Sequence, residues 1–208
     1  MAILTVEEFK DILRSGSPEE VARDRVFGGD IYLAQKFPQV LTTLRKNLCP
    51  QFGLPEEDVT IVGSAKMGFS LDPDKFPAAF KKKGGDIDVV VVSEKLFDQF
   101  WEVFLAWHYP RRSAGLTSVA DRQWISLRRK NLYWGWFVPS EIEYTGLSLP
   151  TVLKPIRDLK TRWFSAFQAL SAQPAFLGRD VNGRLYRTWN HALWYHAFGL
   201  SEIKAKLI

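Results

Sequence analysis

Cysteine is almost absent from this chain. Cys49 stands alone in "NLCPQF", which excludes an internal disulfide, and no paired Cys/His spacing offers a zinc site. A lone thiol suits a reducing compartment, so a cytoplasmic location is expected. Long apolar runs are missing as well, which excludes a membrane-spanning helix and predicts no membrane partner. The opening "MAILTVEEFKDIL" has no basic segment and meets acidic residues after a very short apolar run, so it is not expected to act as a signal peptide. There is no internal repeat, low-complexity tract or obvious interdomain linker. Charge of one sign is in modest excess: 28 Lys and Arg against 23 Asp and Glu give a net +5 and a pI near 9.3. That balance favours polyanionic partners such as nucleotides or nucleic acid. The basic residues cluster at Lys81–Lys83, Arg111–Arg112 and Arg128–Lys130.

Apolar and aromatic residues are plentiful, at 46% and 14% of 208 positions, enough to bury a core as one domain with helical additions. Thr5 with Glu8, and Ser17 with Glu20 behind Pro18, read as capping boxes that open two helices, the second stopped by Gly28 and Gly29. Asp30 is expected to cap a third helix, "IYLAQKFPQVLTTLRKNL", kinked or split at Pro38, and "CPQFGLPEED" reads as a turn-rich connection. Two strands follow, "VTIVG" and "DIDVVVVS", and Ser93 caps the amphipathic helix "EKLFDQFWEVFLAWH". "QWISLRRKNLYWGWFVP" reads as one or two strands and "SEIEYTGLSLP" as strand or loop. Two helices close the chain: "PIRDLKTRWFSAFQALSA" and "RLYRTWNHALWYHAFGLSEIKAKL", the latter with Leu185, Trp189, Ala192, Leu193, His196 and Leu200 on one face. The expected organisation is N-terminal helices over 1–54, an α+β core over 55–150 and C-terminal helices over 151–208.

The chemistry concentrates in "VGSAKMGFSLDPDKFPAAFKKKGGDIDVVVVS". Strand alternation places Asp86 and Asp88 on one face, side by side at the head of a buried run of valines. Like charges that close repel unless something positive lies between them. A strand ending in Gly63-Ser64, followed by a strand that begins Asp-x-Asp, supplies the missing charge as a divalent metal beside a triphosphate. The carboxylates grip the metal, Gly63 lets backbone approach phosphate, and Ser64 offers its hydroxyl. "GSAKMG" is not a P-loop, because the Gly-Lys-Ser/Thr ending is missing.

These residues, Gly63-Ser64 followed by Asp86-Ile87-Asp88, resemble the signature of the DNA polymerase β-type nucleotidyltransferase superfamily, over roughly residues 55 to 107. "GSAKMGFSLDP", "GDIDVVVVSEKLFDQFW", "YWGWF" and "LYRTWNHALWYH" are also similar to small bacterial nucleotidyltransferase-like proteins. The resemblance implies a nucleotidyltransferase-fold mixed β-sheet flanked by helices. It implies Mg²⁺ (or Mn²⁺) on Asp86 and Asp88, and an NTP or dNTP held by Gly63 and Ser64. The implied reaction transfers a nucleoside monophosphate to a hydroxyl of a nucleic acid, a nucleotide or a protein, as in anti-phage signalling or toxin–antitoxin pairs. Lys66 is a further candidate for the phosphates, although a solvated loop lysine is the favoured reading of the residue by itself. Two departures stand out. "DPDKFPAAFKKKG" lengthens the connection and places Lys81–Lys83 on the rim of the site. The third carboxylate that the superfamily carries on a later strand is not evident: Glu143 is the candidate, sharing a strand face with Glu141, behind a "YWGWF" segment expected beside the Asp86 strand, and Asp121 is a poorer one. The alternative is a catalytically degenerate fold that binds nucleotide, nucleic acid or a protein partner. His191 and His196, five apart on a helix, are not expected to form a metal pair.

Overall fold

The computed structural model describes residues 3–80, 85–115, 118–142 and 150–208. Both N-terminal capping boxes form as expected. Thr5 and Glu8 open α1 (Val6–Ser15), and Ser17 and Glu20 open α2 (Pro18–Val21), which runs on as a wider π-helical turn, Ala22–Phe27, stopped at Gly28. The third helix is split, with Pro38 in the break. A 3₁₀ turn, Tyr32–Gln35, has no side-chain cap, so Asp30 does not cap it, and α3 starts only at Val40. It then continues through Pro50 to Phe52 and ends at left-handed Gly53, so the expected turn-rich connection is mostly helix.

β1 (Val59–Val62) leads into a five-residue helix, α4 (Gly63–Met67), in place of a simple Gly-Ser turn. β2 (Ile87–Val92) follows, then α5 (Glu94–Ser113), capped by Ser93 and extended past Pro110. The stretch expected as strands is α6 (Val119–Trp134). Ser118 and Asp121 form a capping box at its start, left-handed Gly135 ends it, and only Trp136–Phe137 remains as β3. α7 (Lys154–Ser171) matches its pattern. The last segment divides: β4 (Val181–Tyr186) takes the residues through Tyr186, and α8 (Trp189–Leu207) begins behind Thr188. Leu185 therefore belongs to a strand and not to the helix face.

The architecture is α+β around one mixed sheet in the order β1-β2-β4-β3. β1 and β2 are antiparallel, β2 and β4 parallel, and β3 and β4 antiparallel. Trp136 and Phe137 of "YWGWF" thus lie beside β4, with β4 between them and the Asp86 strand. Ile61, Ile87, Val89, Val91 and Leu185 bury one sheet face against α3, α5 and α7. Val62, Val90, Val92 and Tyr186 bury the other against α1, α2 and α8. Both faces are covered, which is why β2 reads as a continuous valine run. No helix among the described residues is long and apolar enough to cross a membrane.

Gly183 marks where α7 meets the sheet. A Cβ on this residue would land in the ring of Phe167, a buried side chain of α7. Overpacking a fixed core ring costs about 1–3 kcal/mol. Gly183→Ala is expected to destabilise the fold by at least that much in urea denaturation, and a loss below about 0.5 kcal/mol, the range of neutral surface changes, would contradict this packing.

Candidate functional site

The first and last helices cover the second sheet face but leave its β2–β4 end open. A cleft of about 970 Å³ lies there, with Gly63, Ser64, Asp86 and Asp88 in its wall. Antiparallel pairing sets Val62 opposite Asp88, so the residue that follows Val62 must pass beside the Asp88 side chain. That residue is Gly63, at φ +66°, and a Cβ there would lie 2.8 Å from Asp88 Oδ2. Only glycine lets the backbone come this near the carboxylate while turning left-handed. Behind Asp86, Arg179 fixes the chain: its guanidinium donates to the Gly85 carbonyl at 3.1 Å and lies 4.1 Å from the centroid of the Phe80 ring.

Asp88 is open to the water of the cleft, yet protein walls surround it. This partial burial pushes its carboxyl above the ordinary aspartate range. Arg184 pulls it back, Asp86 adds to the rise and Lys75 opposes it. Asp86 and Asp88 thus act on one another in the cleft wall, with Arg184 and Lys75 as the opposing positive charges.

The other candidates part company. Lys66 does not line this cleft. Its ammonium donates to the Gly29 carbonyl at 2.6 Å on the far side of α4, and burial, partly offset by Asp30, lowers its pKa to about 8. Asp121 is spent on the α6 cap. Glu143 and Lys81–Lys83 lie outside the described residues. Glu141 does line the cleft, and its charge acts on the buried Arg128. β4 is the later strand beside β2, and its residue level with Asp88 is Asn182, an amide with no charge. Residues of the segment Leu71–Phe80 also line the cleft.

The strand β4 also brings in residues that the sequence reading left inside a helix. Arg184 and Tyr186 face the cleft beside Tyr195 and His196 of α8. Alternation in "VNGRLY", apolar at Val181 and Leu185 and polar at Asn182 and Arg184, was the available signal.

Asp72, Asp86, Asp88, Glu141 and Glu202 line the cleft, against Lys75 and Arg184 as its cations among the described residues. A cleft of this sign, in a chain that is basic as a whole, repels a polyphosphate unless cations enter with it. No cluster of three or more His, Cys, Asp or Glu side chains capable of holding a metal occurs among the described residues. Magnesium does not need one: it is commonly held by one or two carboxylates and by the phosphates of its substrate. Asp86 and Asp88 fit that arrangement. The chain matches no known family model, no curated protein and no solved structure.

Proposed function

We propose that this cleft is the nucleotide site of a nucleotidyltransferase, which moves a nucleoside monophosphate from an NTP or dNTP to an acceptor hydroxyl. The observation that carries this reading is the close approach of the left-handed Gly63 to the Asp88 carboxylate, which leaves no room for a Cβ, with Asp86 and Ser64 in the same cleft. A divalent cation, Mg²⁺ or Mn²⁺, held by Asp86 and Asp88, would neutralise phosphate oxygens there. The protein's own residues then have simple tasks. The Gly63 backbone lets phosphate approach, the Ser64 hydroxyl donates to it, and the Leu71–Phe80 wall limits access of water. The acceptor oxygen bonds to the α-phosphorus as the bond to the bridging pyrophosphate oxygen breaks. The electron pair leaves with pyrophosphate and the hydroxyl proton passes to solvent.

The test is incubation with each NTP and dNTP in Mg²⁺ or Mn²⁺, followed by pyrophosphate release and nucleotide binding. The native chain is expected to bind nucleotide only with the cation, and Asp88→Asn to weaken that binding at least tenfold and to abolish release. Cation-independent binding, or Asp88→Asn behaving as wild type, would overturn the metal site. A second reading is favoured by Asn182: with an amide level with Asp88, the cleft binds nucleotide without transferring it. Cation-dependent binding with no pyrophosphate from any nucleotide and acceptor pair would select that reading.

A further inference from the structure

The proposed reaction gives Arg184, a cation that lines the cleft, no task. Arg184 stands level with Val90 in the parallel ladder, one pleat along from Asn182 and Asp88 and on the same sheet face. Its guanidinium carbon lies 4.5 Å from the Trp136 ring centroid and 4.4 Å from that of Tyr195. Tyr186 and Tyr195 also interact with it electrostatically. Its Nε is buried with no hydrogen-bond partner. The neighbours that hold Arg184 in place are thus neutral aromatic groups. No carboxylate among the described residues is paired with it directly, and Asp88 senses its charge at longer range.

A guanidinium offers five N–H donors in one plane. The Trp136 and Tyr195 rings set that plane before any ligand arrives, so little side-chain freedom is lost when an anion binds. Cation–π contacts hold the group without consuming its charge, whereas a carboxylate partner would neutralise it. The other cation that lines the cleft among the described residues, Lys75, already contacts Asp72 at 3.1 Å. Among the described residues, Arg184 is therefore the cleft cation that is not already paired with a carboxylate.

We propose that Arg184 is the clamp for the outer phosphates of the nucleoside triphosphate, taking the β- and γ-phosphate oxygens while the α-phosphate lies toward Gly63 and Asp88. This inference rests on the nucleotide reading of the cleft. The planar fork matches paired phosphate oxygens in a way that the ammonium of lysine does not. A tail clamp makes a specific demand: removing it must weaken triphosphate binding and leave monophosphate binding alone.

The experiment titrates the full chain, in MgCl₂, with α,β-methylene analogues of the four NTPs and with the matching NMPs, for wild type, Arg184→Lys and Arg184→Met. Wild type is expected to prefer triphosphate to monophosphate. Both variants are expected to lose about 10- to 100-fold in triphosphate affinity, the value of charged hydrogen bonds, with monophosphate affinity changed less than about twofold, within the spread of neutral changes. Melting curves accompany each titration, and Arg184→Lys, which keeps the charge and stem, carries the test if the methionine variant does not fold. Wild-type binding with unchanged triphosphate affinity in the variants overturns the clamp and leaves the nucleotide site standing. Equal loss of monophosphate and triphosphate overturns it too, because a structural role has that signature. Absence of any nucleotide binding by folded wild type overturns the site itself, and the clamp with it.

Discussion

Gly63→Ala is expected to lower the stability of the fold by about 1–2 kcal/mol, the cost of holding an L-residue in the left-handed region, and to remove cation-dependent nucleotide binding. The two effects have separate causes. Backbone strain follows from φ +66° alone. The loss of binding follows from position, since the new Cβ would stand 2.8 Å from Asp88 Oδ2. Asp88 cannot yield through its backbone, because β2 is paired at that residue with Val62 on one side and Asn182 on the other. Its side chain must rotate, which moves the carboxylate away from Asp86 and from the phosphate path. Gly53→Ala is the matched control. Gly53 also sits left-handed, at φ +63°, but an added Cβ meets nothing within 4 Å. Both variants are expected to lose similar stability in urea denaturation, while only Gly63→Ala loses nucleotide. If the two bind nucleotide equally well, the close approach of Gly63 to Asp88 has no functional meaning.

Much of this site was legible because its first half is local in sequence. A buried strand, a glycine and an Asp-x-Asp strand specify one another once β1 and β2 pair, and the pairing follows from their valines and isoleucine. The second half lies a hundred residues on, in a strand that its own residues barely announce. β4 contains Asn182 and Gly183, which have poor strand propensity, and it is a strand because β2 and β3 supply its hydrogen bonds and Phe167 fills the space over Gly183. Aromatic residues misled in the other direction. "QWISLRRKNLYW" has strand-like composition, but the buried positions of α6 are Asp121, Trp124 and Arg128, a helical spacing in which two of three are charged. An apolar periodicity search cannot see such a face. Lys66 departs from expectation for a related reason: α4 begins at Gly63, so a residue expected in an open loop turns inward to the Gly29 carbonyl.

Acid is expected to destabilise the native chain through His196, starting below about pH 6.5, the ordinary histidine range. His196 is packed by the edges of Phe27 and Tyr195 and by Tyr186, and its Nε2 is buried with no hydrogen-bond partner. Burial first, and the Arg184 charge second, lower its pKa to about 3. The folded pKa lies below the unfolded one, so the unfolded chain takes up a proton that the folded chain refuses. The contribution of this group is complete above pH 6.5 and is lost as pH falls toward 3, with a slope approaching about 1.4 kcal/mol per unit for one proton. Asp88 acts oppositely: its raised pKa penalises the fold at neutral pH, and that penalty is relieved as the carboxyl protonates. Glu8 and Glu20, whose pKa values are lowered by the Thr5 and Ser17 hydrogen bonds, lose their contributions only below the ordinary glutamate range. His196→Phe keeps a ring in the site and removes the titration. Subtracting its unfolding free energy from that of wild type at each pH between 7 and 4.5 cancels the terms that the two proteins share. The difference is expected to shift steadily against wild type across this window, and parallel curves would mean that His196 accepts its proton in the folded state.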